Sequence, residues 1–335
     1  IVLTNRRLFT GLDDLEGRWS LLRDGHEITC GKLSLTGFAA GESREISLPV
    51  LSVDSLSDWE LNLVFSQKEE NLWAPAGFIV ARDQYQLAAP KRQHVSPAND
   101  RDNFAADEED GILWVSGDNF SLEFNLKQGI LTDYRWQDMP MILMGPQTDL
   151  WRAPTDNDIG GYSAAGHWQA ERLDHLQNRT ASCDWRREDD RIIIVCETVQ
   201  APPVSKPVCR SVYTYTAFCD GAVRIQIHFE PRGDLPYLPR LGTRWQLSGE
   251  LAQVTWYGRG PQESYPDKKS AAFIGLYQAG VEDLHEPYIR PQENGAHADT
   301  QFAALTNGLG VGLLFSAESV FSFTAHDYSD EALTE

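Results

Sequence analysis

GILWVSGDNFSLEFNLKQGILTDYRW, residues 111–136, reads as strand, turn, strand, turn, strand. Asp118-Asn119 and Gln128-Gly129 mark the reversals, since Asn, Asp and Gly tolerate the backbone angles that tight turns need. Runs of the same kind follow at RIIIVCETV (191–199), CRSVYTYTAF (209–218), AVRIQIHFEP (222–231), TRWQLSG (243–249), QVTWYGRG (253–260) and VGLLFSA (311–317). Many strands at hairpin spacing with almost no helix predict a large antiparallel sandwich. One helix is predicted in SAAGHWQAERLDHLQ (163–177), where Trp168, Leu173 and Leu176 fall near helical spacing. No internal repeat is visible.

Working outward, residues 1–88 carry their own short strands. RWSLLRDG (18–25) leads into HEITCGKLSL (26–35), with Asp24-Gly25 as a hairpin signal. REISLPVL (44–51) and DWELNLVFSQ (58–67) alternate apolar and polar residues, and GFIVARDQYQL (77–87) closes a small sandwich of about seven strands. No titratable cluster stands out there, so this unit reads as a spacer. Between the two units, residues 89–110 are polar, rich in Asp and Pro, and without periodicity, which predicts an exposed linker. The second unit then spans 111–335. The chain opens on IVLTNRRLF, a strand already under way, and stops at SDEALTE without a closing strand. Both ends read as cuts within a longer protein, with the second sandwich truncated.

The bulk composition removes whole classes of function. A formal net charge of −20 disfavours nucleic acid and anionic membranes, which both require Lys and Arg. No run of 18 apolar residues is present, so no membrane-spanning helix is expected. Ten Trp, eleven Tyr and fourteen Phe suit β-sandwiches and also surfaces that stack on sugars. The five Cys (30, 183, 196, 209 and 219) are odd in number and form no CxxC pair. Free thiols in a reducing cytoplasm are therefore expected, rather than a disulfide framework or a zinc site. The NRT triplet at Asn178 is a glycosylation pattern that also arises by chance.

Three segments break the strand rhythm: DLWRAPTDNDIGG (149–161), WYGRGPQESYPDKKSA (256–271) and PYIRPQENGAHADTQ (287–301). Each combines Arg, a carboxylate, Pro or Gly, and an aromatic. Carboxylates and amides hydrogen-bond sugar hydroxyls, aromatic faces stack on pyranose rings, and Arg fixes carboxylates by bidentate pairing. Asp156, Asn157 and Asp158 are candidate sugar or metal ligands, beside the plainer reading that Asx residues bond turn backbone. Arg152 is expected to hold a buried carboxylate. Arg259, Glu263, Arg290, Glu293 and Asn294 are candidate structural residues of the other two loops. A catalytic role for Glu263 or Glu293 would need a paired acid and base at the substrate. His167 and His175, eight apart on the expected helix, are not a metal pair, and nothing in the spacing specifies a metal site.

Together RAPTDNDIG, YGRGPQESYPD and RPQENG resemble, nearly residue by residue, motifs in the C-terminal third of bacterial β-galactosidases of glycoside hydrolase family 2. The resemblance covers essentially the whole chain. It implies that residues 1–88 are an immunoglobulin-like sandwich and that the second unit is a large β-sandwich of galactose-mutarotase-like fold. It also implies that hydrolysis, with retention, is carried out by two Glu of an upstream barrel, so no catalytic residue is expected here. The segment after DNDI is implied to be a mobile, substrate-proximal loop, with Gly160 and Gly161 supplying permissive dihedrals. This chain departs from the pattern in having a shorter stretch before AGHWQAE. The implied partners are the catalytic barrel, a galactoside bound by the whole enzyme, and further copies in a homo-oligomer. Mg2+ and Na+ are implied for the complete enzyme, with no cofactor in this part. A small subunit of a two-subunit β-galactosidase, a non-catalytic carbohydrate-binding module and a mutarotase-like enzyme are the alternatives. In the last of these His297 would echo a mutarotase His, although a satisfied loop His is favoured.

Overall fold

A computed structural model describes residues 1–49, 52–89, 104–233, 235 and 237–334. The first unit contains β1 (Val2–Thr4), β2 (Leu15–Arg23), β3 (His26–Leu33), β4 (Ser43–Glu45), β5 (Trp59–Gln67) and β6 (Ile79–Ala88). β3-β2-β5-β6 form one antiparallel sheet, and β1 pairs with β4. Asp24 and Gly25 turn β2 into β3 with φ of 49° and 80°, the left-handed pair that a tight hairpin requires. Trp59, Leu61, Leu63 and Phe65 alternate along β5 into a core shared with Trp19, Leu21 and Phe38. Six strands are present among the described residues rather than seven. Among its described residues REISLPVL contributes strand only at its first two positions, Arg44 and Glu45, although Ile46 and Leu48 still pack on that core.

The second unit begins with β7 (Ala105–Glu109), so the C-terminal end of the expected linker is strand paired with β8 (Ile112–Ser116). Residues 90–103, the rest of that linker apart from Ala89, lie outside the described residues. β9 (Phe120–Asn125), β10 (Ile130–Trp136) and β11 (Met139–Asp149) follow. Two short helices come next, α1 (Asp156–Ile159) and α2 (Ala164–Ala170). The remaining strands are β12 (Gln177–Glu188), β13 (Arg191–Ala201), β14 (Cys209–Phe218), β15 (Val223–Pro231), β16 (Gly242–Leu247), β17 (Gln253–Gly260), β18 (Phe273–Gly280), β19 (His297–Thr306) and β20 (Gly312–Phe323). A final helix, α3, spans Asp330–Thr334.

Three antiparallel sheets result, ordered β16-β11-β10-β9-β8-β7, β12-β13-β14-β15 and β18-β17-β19-β20. The first two face each other across one core. Leu113, Val115, Phe120, Leu122 and Phe124 come from one side, and Ile192, Ile194, Tyr213 and Tyr215 from the other. This interdigitation of two inner faces makes the predicted sandwich. The predicted helix is broken: α2 ends at Ala170, Arg172 adopts φ 55°, and Leu173–His175 form a 3-10 turn. Trp168 and Leu173 are nevertheless buried together, in a smaller cluster with Leu150 and Trp151.

The expectation of free thiols fails for two of the five cysteines. Cys183 on β12 and Cys196 on β13 are direct cross-strand partners, 4.1 Å apart at Cα, and are joined as a disulfide. Strand register, which counting does not reveal, brings them together. Cys209 is a buried free thiol, Cys219 is half-buried and Cys30 is exposed. Among the described residues no helix is long and apolar enough to cross a membrane.

Candidate functional site

The three motifs converge, and the third is the hub. The Glu293 amide donates to the Ala153 carbonyl at 3.2 Å, and the Asp156 amide donates to Gln292 Oε1 at 3.3 Å. These bonds tie the first motif to the third. The Gly295 amide donates to Glu263 Oε2 at 2.8 Å and the Ser264 amide to the Ala296 carbonyl at 2.6 Å, tying the second to the third. Two of the expected loops are partly strand: residues 256–260 close β17 and 297–301 open β19.

Within the first motif the Asx residues divide. Asp158 is buried and accepts from Arg152 Nη1 at 2.6 Å, Arg152 Nη2 at 3.0 Å, and the amide and hydroxyl of Thr155 at 2.8 Å each. Burial opposes its ionisation, but the guanidinium and the Thr155 donors outweigh that and hold its carboxyl below the usual range. Arg152 also donates to the Pro239 carbonyl and lies 5.0 Å over the Trp168 ring, so the expected Arg–carboxylate pair anchors α1 to the core. Asp156 and Asn157 are exposed, as are Ile159, Gly160, Gly161 and Tyr162. Arg290 stands 3.8 Å from Asp156, both exposed, as a loose surface pair. The expected dihedral freedom is used at Gly161, with φ 54°, and not at Gly160, whose φ of −74° suits any residue.

Glu263 is buried and accepts from Lys268 Nζ at 2.6 Å, from the Tyr288 hydroxyl and from the Gly295 amide. Burial raises its proton affinity, and these three donors more than reverse that. Arg259 clamps a turn: Nε donates to Asp299 at 2.6 Å and Nη1 to the carbonyls of Lys269 and Ala272. Asn294 is buried, accepting from the Glu286 amide at 3.1 Å and donating to the Gln292 carbonyl. His297 is buried on strand β19, not in a loop, and is only half satisfied. Nδ1 bonds the Arg259 carbonyl, while Nε2 has no partner among the described residues and the ring packs on Trp256 and Phe323. Burial pushes it down to about 4, so it is neutral.

A residue the sequence did not flag organises the whole arrangement. Arg240, in YLPRLG between β15 and β16, donates to Glu293 at 2.8 Å, Asp330 at 2.7 Å and Asp149 at 3.3 Å. Glu293 is pushed up to about 7 by burial, with Arg240 opposing the shift. Lys268, Tyr288, Asp149 and Asp330 were missed likewise. Tyr288, Asp149 and Asp330 meet partners 25 to 91 residues away, which no short motif signals, whereas Lys268 lies only five residues from Glu263 in the same motif.

What the arrangement offers chemically follows from this pairing. Asp158, Glu263, Glu293 and Asp299 are all engaged by cations of the chain itself. Exposed polar groups remain on α1 (Asp156 and Asn157), on the second motif (Gln262, Asp267, Lys268 and Ser270) and at Arg290. None of those four carboxylates is left without a cation, as a free acid or base would be. Among the described residues no group of three or more His, Cys, Asp or Glu is arranged to hold a metal ion. An open groove of about 900 Å³ lined by Pro202, Lys206, Val208, Arg210 and Arg232 contains no residue of the three motifs.

Comparison with known proteins gives the same direction. Residues 116–335 match the family model described as β-galactosidase small chain, and residues 1–88 the one described as β-galactosidase, domain 4. The chain is 29% identical to a β-galactosidase of Priestia megaterium over 335 residues, covering 97% of this chain and 31% of that protein. It is 32% identical to a β-galactosidase of Vibrio cholerae, covering 99% of this chain and 32% of the relative. Against β-galactosidase 2 of Enterobacter cloacae the identity is 30%, with 98% and 32% covered. The chain thus spans about a third of the length of the curated relatives it matches.

Proposed function

The chain belongs to the β-galactosidase small-chain family, and from that premise we propose that it is the C-terminal, non-catalytic part of a β-galactosidase. In this reading it buttresses the catalytic barrel and presents the α1 turn toward the sugar site. The observation that carries it is the division of the carboxylates. Those in the three motifs that are buried are neutralised internally by Arg152, Lys268 and Arg240, which builds a rigid base. Asp156 and Asn157, with the two glycines that follow α1, are left facing outward on that base. Such a surface can position and shape. Hydrolysis requires a pair of carboxyls flanking the glycosidic bond, and these belong in our reading to the other two thirds of the enzyme. Terminal β-galactosides are the substrate class. Any Mg2+ or Na+ that the complete enzyme uses is assigned to residues outside the described ones, and the working enzyme to a cytoplasmic homo-oligomer.

The test is complementation. The chain alone should not hydrolyse a chromogenic β-galactoside, and mixing it with the separately produced catalytic portion should restore turnover. Hydrolysis by the chain alone, lost in Glu263→Gln or Glu293→Gln, would refute the proposal. Sugar binding by the isolated chain without any complementation would instead favour a carbohydrate-binding module.

A further inference from the structure

Glu60 lies on β5, whose odd-numbered residues Trp59, Leu61, Leu63 and Phe65 enter the core of the first unit. By strand alternation Glu60 points to the opposite, outward face of that sheet. It is nonetheless only 1% exposed, because β17 and β18 of the second unit cover it. The Tyr257 hydroxyl of β17 donates to Glu60 Oε1 at 3.1 Å. Beside it, Gln84 of β6 bonds both backbone groups of Ile274 on β18, and Arg82 lies over the Phe273 ring. Glu60 Oε2 has no partner among the described residues. The charged groups facing Glu60 are Asp58, buried just before β5, and Asp24 in the β2–β3 turn, both acidic. The nearby Arg23 stands at 3.8 Å from Asp24 and Asp54 and over the Trp59 ring. A carboxylate is thus enclosed by a seam that supplies one phenol donor and like charges.

We propose that the seam between the first sheet and β17–β18 is a proton-linked latch. In the open form Glu60 is a hydrated carboxylate; closing transfers one proton from solvent onto it and buries the neutral acid. The seam tightens as the medium acidifies and loosens toward alkaline pH. The closed carboxyl is pushed up from the ordinary glutamate value of 4.5 to about 7, by burial first and by Asp58 and Asp24 in addition. The closed form therefore has its full advantage below pH 4.5 and loses it as pH rises through about 7.

Hydrogen exchange at the Ile274 amide, which bonds Gln84 across the seam, reads the latch in the full 335-residue chain. After correction for intrinsic rates, opening should be on the order of tenfold more frequent at about pH 8.5 than at about pH 5.5. Glu60→Gln, which cannot ionise, should be equally protected at both. A pH dependence that survives intact in Glu60→Gln, or its absence from the wild type, overturns the proposal. Tyr257→Phe is the second arm, should Glu60→Gln fail to fold. It removes the hydrogen bond that favours the carboxylate, so the midpoint should move to higher pH, and an unmoved midpoint counts against the latch.

Discussion

Asp158 shows how one carboxyl converts a polar motif into a fixed surface. Its four donors come from Arg152 and Thr155, so the guanidinium and the first turn of α1 are satisfied by the same two oxygens. Asp158→Ala leaves a largely buried Arg152 without its anion and uncaps α1, at a cost of about 3 kcal/mol. Urea unfolding should show a lower midpoint with an unchanged slope; a midpoint within error of the parent would mean that the pair is ornamental. The pH dependence follows from the lowered carboxyl. Its contribution is present above the ordinary Asp value of 3.8 and is lost as pH falls through the depressed one. That Arg152 holds a buried carboxylate was expected from the sequence, but that the carboxylate is Asp158, six residues on in the same motif, was not. Arg240 was not legible at all, because its carboxylates are 53 to 91 residues away in the chain.

At the scale of elements, the strands that announced themselves were those with regular alternation, such as β9, β13 and β14. β11 escaped because Pro140, Gly145 and Pro146 interrupt it, and the sheet absorbs them as register shifts after Ile142 and Met144. β12 is a mostly exposed edge strand, QNRTASCDWRRE, with no apolar period to read. β18 carries Gly275 and ends on Gly280, which weaken a strand signal. The α1–α2 connection was legible as a glycine turn, but the two glycines are not equivalent. A Cβ at Gly161 meets no neighbour within 4 Å, yet φ 54° strains any other residue. Gly161→Ala should therefore cost about 1 kcal/mol. Gly160→Ala, at φ −74° with its Cβ 3.3 Å from the Asp156 carbonyl, should cost clearly less. Thermal unfolding of the two variants side by side checks the order. Equal losses would show that the turn does not hold this conformation in solution.

At the scale of the whole molecule, neither sandwich could have announced the seam between them, since it depends on which outward faces meet. Gln84 behaves there as a detached piece of strand. β18 is the edge of its sheet, and the Gln84 side chain accepts from the Ile274 amide at 2.7 Å and donates to its carbonyl at 2.8 Å. Gln84 Nε2 also donates to Asn62 Oδ1 at 2.9 Å, which holds the side chain at the right reach. One residue of the first unit thus occupies the open edge that a further strand would otherwise fill. Gln84→Ala removes both seam bonds and leaves the Ile274 backbone to water, costing about 1–2 kcal/mol of coupling. Neither core is touched, so the loss should fall on the contact between the units. In calorimetry the first unit should unfold at lower temperature in the variant, with the larger sandwich shifted less. The effect should be the same on either side of neutral pH, because no ionisable group is removed, which separates it from the Glu60 latch. A variant whose two transitions coincide with the parent's at every pH would show that Gln84 lies against the edge without holding it.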